Sequence, residues 1–201
     1  MTDLRTIESI EYGTASAVRV TMNPNICAEL SERYIAFDTE TTGLDPENDR
    51  IVELGAVRFE NGVPVNSFQS YVNTGISIPA EVSAINHITD AVLQDAPPEQ
   101  DIYPKFMEFL GDVAVGKTVL CGHVAAFDLS FLCKVLDRLS INAAFRFVDT
   151  RQLAAQIPEL EHHSLAAVAD FFGVLHENAH DAEEDALTSG RILQRVLELT
   201  L

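Results

Sequence analysis

The stretch YIAFDTETTGLDP (residues 34–46) ends an apolar, strand-like run with two carboxylates, Asp38 and Glu40. We expect Asp38 to end the strand and TTGL to turn the chain away, which leaves both side chains at an edge of the sheet. Because residues i and i+2 of a strand point to the same side, roughly 6–7 Å apart, the two charges repel each other. Mg²⁺ or Mn²⁺, which take oxygen ligands, would relieve that repulsion. For this motif alone, two solvated acids at a strand end are the favoured interpretation.

The composition favours one soluble globular domain. The 201 residues are 47% apolar and 22% charged, which is enough for one domain with a substantial core. No apolar run is long enough to span a membrane, and the N-terminus lacks the features of a signal peptide, so we expect a cytoplasmic protein. The cysteines Cys27, Cys121 and Cys133 lack metal-ligand spacing and are interpreted as reduced core thiols.

The net charge of −18, from 31 acidic and 13 basic residues, argues against a nucleic-acid partner. Phosphate binding normally depends on clusters of Lys and Arg. The argument is not decisive, because surface fields are screened over roughly 8 Å at physiological salt and local chemistry can overrule the global balance. Most of the acid excess is interpreted as a solvated surface that keeps the protein soluble.

The chain divides into an extension, residues 1–33, and a main domain, residues 34–201. The extension has one short β-like piece, SAVRVTM, and NPN is interpreted as a break. In the domain, YIAFD, RIVELGAVRFENG and PVNSFQSYVN predict three strands in an antiparallel meander, with a turn at Asn61-Gly62 and the third strand at an edge. Helices and strands then alternate. This order predicts an α/β fold, a mixed sheet flanked by helices.

Two later segments supply further candidate ligands. In GHVAAFDLSFL a buried strand runs into a helix, and Asp128 falls in the early turns of that helix, at the border of the core. In HDAEEDA, His180 precedes the last helix and Asp185 lies one turn inside it, while Asp181 and Glu184 resemble a capping box. Each segment alone also fits an ordinary acidic helix start.

Taken in order, these elements resemble the DEDD-type, or DnaQ-like, 3′-to-5′ exonucleases, in the subgroup whose last motif carries His. The resemblance covers about 160 residues, from Tyr34 into the final helix. FDTETTGL is close to the family's first motif, and RIVELGAV, INHIT, SLAAVADFFGV and HDAEEDAL lie where the family has comparable segments. Several ordered motifs are much more specific than any one of them.

The resemblance implies an RNase H-like fold, with a mixed five-stranded sheet and helices on both faces. It also implies that four carboxylates hold two divalent metal ions, Mg²⁺ or Mn²⁺, while His180 handles the proton of the attacking water. The implied metal ligands are Asp38, Glu40, Asp128 and Asp185. The residues implied to bind the terminal nucleotide are Thr39, Thr41, Leu44, Glu81, Ile85, Asn86 and Phe127. For Ile85 and Phe127, a place in the ordinary core is an equally favoured interpretation.

The implied activity is removal of nucleoside monophosphates from nucleic-acid 3′ ends, with DNA favoured over RNA. The implied role is proofreading or repair beside a DNA polymerase subunit. Three alternatives stay open: an RNA-trimming exonuclease, a non-catalytic binding or scaffold subunit, and a phosphoesterase for small nucleotides. Residues 1–33 could dock to a polymerase, pair at a sheet edge or remain mobile.

The chain departs from the family pattern at two places. His123-Val124 stands where His-Asn is usual before the second motif's Asp, and His87 stands at a customary Gly. Glu53, in an apolar strand, is expected to have a structural partner rather than a catalytic role. The remaining histidines are interpreted as surface residues: His162, His163 and His176.

Overall fold

A single mixed sheet of seven strands, in the order β1-β2-β7-β6-β3-β4-β5, organises the computed structural model, which describes residues 7–200. The strands are β1 (Ser9–Tyr12), β2 (Ala15–Arg19), β3 (Arg33–Thr41), β4 (Ile51–Glu60), β5 (Val63–Tyr71), β6 (Val119–Gly122) and β7 (Ala143–Asp149). The helices are α1 (Pro24–Glu32), α2 (Ala80–Asn86), α3 (Asp90–Gln94), α4 (Glu99–Leu110), α5 (Ala125–Arg138), α6 (Thr150–Ala154), α7 (Leu165–Phe172) and α8 (Ala182–Thr200). A short 3₁₀ helix covers Gly111–Val115.

The expected meander is confirmed. β3 pairs antiparallel with β4, and β4 pairs antiparallel with β5, which lies at the edge of the sheet. The connection between β4 and β5 is Asn61-Gly62, where φ is +51° and +76°. Two positive φ angles in a two-residue hairpin loop are typical of the type I′ turn, whose twist matches that of the strands.

The sheet has seven strands rather than the five expected. The two additional strands, β1 and β2, come from the N-terminal extension, and β2 pairs parallel with β7 from Ala15 opposite Ala143 onward. Pairing at a sheet edge is therefore the alternative that the structure shows for residues 9–19. Residues 1–6 lie outside the described part of the chain.

Helix α1 was missed because NPN was interpreted only as a break. The Asn23 side chain accepts hydrogen bonds from the backbone N–H of Asn25 and Ile26, at 3.0 and 3.1 Å, and Pro24 occupies the first helical turn. Asn at the N-cap followed by Pro is a helix start signal, because neither residue needs an intrahelical N–H bond there.

Apolar side chains cover both faces of the sheet. Along β3, Ile35 and Phe37 enter the core beneath α4 and α5, whereas Tyr34 and Ala36 enter the core beneath α1 and α8. This alternation is the two-residue period of a strand buried on both faces. The buried cysteines are free thiols, as expected.

The centre of the sheet positions the predicted site. β3 does not end at Asp38 as expected but continues to Thr41, with a shift in its register with β4 between Glu40 and Thr41. β6 runs parallel to β3 and leads directly into α5. The carboxyl ends of adjacent parallel strands are where crevices form in α/β sheets. None of the helices in residues 7–200 is long and apolar enough to cross a bilayer.

Candidate active site

Strand β3 places Asp38 and Glu40 on one side of the sheet, two residues apart. Both side chains are partly buried. Thr39, between them, is buried and faces the other way, where it reaches the second motif. The strand thus supplies two carboxylates from one face and an anchor from the other.

Asp128 lies in the first turn of α5 and is 3% exposed. One of its oxygens, Oδ1, accepts hydrogen bonds from the backbone N–H and the hydroxyl of Thr39, at 3.0 and 2.7 Å. Burial raises the pKa of Asp128 to about 7, although these bonds from Thr39 oppose the shift. The second motif is therefore fixed directly to the strand that carries the first.

The start of α8 is pressed against β4. A Cβ at Gly55 would collide with the backbone of Ala182, so this close approach requires glycine. The buried carboxylate of Glu53 accepts hydrogen bonds from Gln69, at 2.8 Å, and from the backbone of Ala182. Glu53 therefore has structural partners, as expected, and it satisfies an N–H group that a helix start leaves open.

His180 lies just before this helix start, and Asp185 lies in the first turn of α8. Asp181 accepts a hydrogen bond from the backbone N–H of Glu184 at 3.0 Å, which confirms the expected cap. His180 adopts a left-handed backbone conformation, with φ +68°, and its N–H donates to Asp185 Oδ2 at 3.2 Å. Its ring is half-exposed, and Nδ1 lies 3.9 Å from Oε1 of Glu40.

The four candidate ligands Asp38, Glu40, Asp128 and Asp185, here called the acidic cluster, repel one another. Burial, and then the charges of Asp128, Asp185 and Glu40, raise the pKa of Asp38 well above its ordinary value. Burial is also the main reason why the pKa of Glu40 rises to about 8. Within residues 7–199, no Lys or Arg forms an ion pair with any member of the acidic cluster.

The donor set fits a divalent cation. Carboxylate oxygens are the ligands that hard cations such as Mg²⁺ and Mn²⁺ prefer. One potential ligand atom from each of Glu40, His180 and Asp185 lies within 4.8 Å of the others. Since no Lys or Arg of residues 7–199 balances the acidic cluster, a dication bound there would relieve the repulsion.

The residues implied to bind a nucleotide divide into exposed and buried sets. Leu44 is 70% exposed and Ile85 is 56% exposed, so Ile85 is not in the core. Glu81 is exposed as well, whereas Asn86 is buried. The side chain of Asn86 lies close enough to Glu40 to oppose the rise of its pKa, but its Nδ2 atom has no partner within hydrogen-bond geometry. Phe127 is partly buried and packs against Phe131, with ring centroids 5.0 Å apart.

Thr39 and Thr41 of the first motif hold the backbone and a candidate ligand in place. Thr39 bonds to Asp128, as described above, and the Thr41 hydroxyl donates to the carbonyl of Gly43 at 2.6 Å. Both side chains are buried. In the structure they shape the first motif rather than present an exposed surface.

The interpretation of His176 as a surface residue is wrong. Its side chain is only 9% exposed, and Nε2 donates to Oδ1 of Asp185 at 2.6 Å. His163 is also partly buried, and its carbonyl accepts hydrogen bonds from His123 and Arg151. His162 is exposed, as expected. No local pattern marks His176, because its partner lies nine residues further on and beyond a loop.

Comparison with known proteins identifies the family. The family profile described as "Exonuclease" (RNase_T) matches residues 35–193. The DNA polymerase III subunit epsilon of Aquifex aeolicus is 31% identical over 172 residues, which cover 84% of this chain and 82% of that protein. This chain therefore belongs to the exonuclease family, a family of nucleases, as its resemblance to the DEDD-type enzymes predicted.

A longer relative and two solved structures are also similar. The DNA polymerase III PolC-type protein of Clostridium perfringens is 37% identical over 164 residues, 81% of this chain but only 11% of that protein. E. coli exonuclease I in complex with a dT13 oligonucleotide superposes with a TM-score of 0.70 at 20% identity, over 84% of this chain and 41% of that one. The nuclease domain of 3′hExo, a DEDDh family member bound to rAMP, superposes with a TM-score of 0.70 at 18% identity, over 84% of this chain and 92% of that one. These structures confirm the RNase H-like exonuclease fold.

Proposed function

We propose that this chain is a 3′-to-5′ exonuclease that uses two divalent metal ions, Mg²⁺ or Mn²⁺, to shorten single-stranded DNA. The observation that carries the proposal is the acidic cluster, which has no Lys or Arg partner in residues 7–199 and has the ring of His180 beside Glu40. The names of the relatives support a place in DNA replication, as proofreading or repair. The division into residues 1–33 and an exonuclease domain at 34–201, and the cytoplasmic location, stay predictions.

When bound, two dications would stabilise the charge that develops on the attacking and leaving oxygens of the phosphodiester. Asp38, Glu40, Asp128 and Asp185 would hold them, and the added positive charge would let a phosphate approach the acidic cluster. A ring nitrogen of His180 would accept the proton of the attacking water as its oxygen bonds to phosphorus. The bond from phosphorus to the 3′ oxygen of the preceding nucleotide would break, which releases a nucleoside 5′-monophosphate.

Exposed apolar side chains support a role in binding the terminal nucleotide. Leu44, in the loop after β3, and Ile85, in α2, are exposed, although such residues are usually buried. Apolar contact with bases tolerates any sequence, as an exonuclease requires. Glu81, exposed on the first turn of α2, would accept a hydrogen bond from the terminal 3′ hydroxyl. That contact would explain a preference for chain ends.

The pairing of basic side chains with acids of the same chain supports weak binding to the body of a DNA strand. Several basic side chains are already paired with acids of the same chain: Lys134 with Glu47, Arg138 with Glu99, and Arg146 with Glu29, at 2.6–3.0 Å. Phosphates would have to compete with these acids for the three side chains, and the net charge is −18. We therefore expect distributive shortening, or delivery of the enzyme to DNA by a polymerase partner.

The direct test uses single strands labelled at the 5′ end, of DNA and of RNA, with Mn²⁺ and with EDTA. We expect a ladder of shortened DNA that requires the metal and disappears when the 3′ end is blocked. His180→Ala should lower turnover strongly, whereas the exposed control His162→Ala should not. Binding without cleavage would indicate a scaffold, and cleavage of nucleotide esters alone would indicate a small-molecule phosphoesterase.

RNA is the second candidate substrate. The structural neighbour 3′hExo is bound to rAMP, a ribonucleotide. Only contacts to the 2′ position distinguish the two sugars. Faster shortening of RNA than of DNA of the same sequence would replace the DNA proposal with this one.

A further inference from the structure

His176 makes the shortest hydrogen bond to any member of the acidic cluster. Its Nε2 atom lies 2.6 Å from Oδ1 of Asp185, and the two side chains are only 9% and 10% exposed. A carboxylate oxygen only accepts hydrogen bonds, so Nε2 is the donor. Bonds of this length to a carboxylate are among the strong ones, because the acceptor is charged.

We propose that His176 is a positioning residue, which holds the carboxylate of Asp185 in the orientation that binds the metal ion. This inference rests on the proposed function, because it takes Asp185 as a metal ligand. In this role His176 contacts Asp185 and is not itself a ligand of the metal ion or of the substrate. Its effect on the reaction therefore passes through Asp185.

Asp185 is held at both of its oxygens. Oδ1 accepts from His176, and Oδ2 accepts from the backbone N–H of His180 at 3.2 Å. Two anchors fix the rotation of the carboxylate, which would otherwise turn freely about its last bond. The lone pairs that remain can then face the potential ligand atoms of Glu40 and His180, all within 4.8 Å of one another.

The second motif uses the same arrangement with different chemistry. Asp128 is anchored by the N–H and hydroxyl of Thr39, which lies on the neighbouring strand. The carboxylate of Asp185 is instead anchored from the loop before its helix, by His176 and by the backbone of His180. Outer residues that orient metal ligands in this way typically change metal affinity or activity by about 10–100-fold when removed.

The bond also ties down the loop that carries His180. His176 follows the glycine that ends α7, Gly173 with φ +64°, and the bond to Asp185 closes this loop onto the first turn of α8. His180 has a left-handed backbone, which a histidine adopts only when its surroundings hold it. Loss of His176 would therefore loosen both Asp185 and the loop around His180.

The test measures Mn²⁺ binding by electron paramagnetic resonance, without substrate, in the full chain. The variants are His176→Ala, His176→Gln and Asp185→Asn, with the exposed His162→Ala as the matched control. We expect His176→Ala to weaken Mn²⁺ binding by about 10–100-fold. His176→Gln should regain most of the affinity, because its amide can donate one hydrogen bond over a similar reach.

The outcomes separate this inference from the proposed function. If the wild type does not bind Mn²⁺, or if Asp185→Asn binds it equally well, the proposed metal site itself is wrong. If the wild type binds Mn²⁺ and Asp185→Asn binds it more weakly, but His176→Ala binds it like the wild type, only the positioning role is wrong. Equal losses in His176→Gln and His176→Ala would also overturn it, because a hydrogen-bond donor would then give no rescue. If His176→Ala fails to fold, His176→Leu, which fills more of the space but has no donor, takes its place, and wild-type Mn²⁺ binding in that variant overturns the positioning role.

Discussion

The acidic cluster and the sheet edge formed by residues 7–32 differ in whether their charged side chains have partners of opposite charge. At the edge, charges are paired: Arg146 forms a two-pronged ion pair with Glu29 of α1 at 3.0 Å, and Asp137 accepts a hydrogen bond from the backbone of Thr14. In the acidic cluster, carboxylates repel one another, and no Lys or Arg of residues 7–199 pairs with them. The first arrangement stabilises a fold, whereas the second costs stability and is useful only when a ligand supplies positive charge.

Of the two regions, only the acidic cluster contains unfavourable interactions between charges. Both regions contain buried or half-buried acids, so burial alone does not separate them. What separates them is the partner, which is a side chain or backbone N–H at the edge and, by our proposal, a dication at the acidic cluster. Replacing an acid should therefore have opposite effects on stability in the two regions.

The largest expected effect follows from replacing Asp38 with asparagine. We expect turnover to fall by on the order of 10³-fold, since a ligand to both metal ions would be lost. The same variant should raise the unfolding temperature of the metal-free protein near neutral pH, because it removes one of the repelling charges. Activity assays and thermal unfolding in EDTA measure the two effects.

The matched control for this variant is Asp137→Asn at the edge. It removes a charge that has hydrogen-bond donors, so it should leave turnover unchanged and should not raise stability. If Asp38→Asn and Asp137→Asn change stability in the same direction, the contrast between the two regions is wrong.

The second prediction concerns the buried Arg19 of β2. Its Nη1 atom lies 4.0 Å from Oδ2 of Asp149, and both side chains are almost fully buried. Arg19→Met leaves the Asp149 carboxylate buried without a cation, which should cost about 3 kcal/mol and lower the unfolding temperature by about 6–12 °C. The exposed pair of Arg33 with Asp112, at 3.9 Å, provides the control. Arg33→Met should cost less than about 1 kcal/mol, and equal losses in the two variants would contradict the prediction.

The third prediction is a pH dependence confined to the metal-free protein. The folded state raises the pKa of Glu40 to about 8 and the pKa values of Asp128 and Glu53 to about 7. Folded chains therefore bind these protons more tightly than unfolded chains, whose carboxyl pKa values lie near 4. The resulting stability is complete below about pH 4 and is lost as the pH rises to about 8.

Thermal unfolding in EDTA measures this slope. A shift of one unit is worth about 1.4 kcal/mol, so even one shift of that size should lower the unfolding temperature by about 3–6 °C between about pH 5 and pH 8. Mn²⁺ should abolish the decline, because it binds the deprotonated carboxylates. Asp128→Asn should make the slope shallower, and an unchanged slope in that variant would count against the assignment.

The smallest expected effect is at Val124, which leads into α5. Its φ of +67° is left-handed, a conformation that β-branched residues rarely adopt. Asparagine tolerates this conformation, so Val124→Asn should raise stability by about 1 kcal/mol, or about 2–4 °C in unfolding temperature. Val124→Ala, which keeps a Cβ, should gain less. Destabilisation by the asparagine would show that the side chain of Val124 has packing worth more than the strain.

Local periodicity in the sequence was sufficient to predict most of this fold. The meander β3–β5 and the strand-to-helix step into α5 were predicted because each has its own signal within a few residues. β1 was missed because SIEY is short and only half apolar. Strand β3 continues beyond its predicted end at Asp38, because its pairing with β4, rather than the β-propensity of its residues, decides where it ends.

The candidate site was predictable only where it has motif residues. Asp38, Glu40, Asp128, His180 and Asp185 were chosen from ordered motifs, and the structure brings β3, α5 and the start of α8 together at one end of the sheet. The roles of these residues stay predictions. His176 was missed because its contact with Asp185 depends on the course of a loop, which no spacing rule reveals.

The most direct measurement is anomalous diffraction from a crystal soaked in Mn²⁺. We expect manganese peaks within about 2.0–2.6 Å of carboxylate oxygens of the acidic cluster. Peaks elsewhere on the protein, or an acidic cluster without manganese at saturating concentration, would contradict the account.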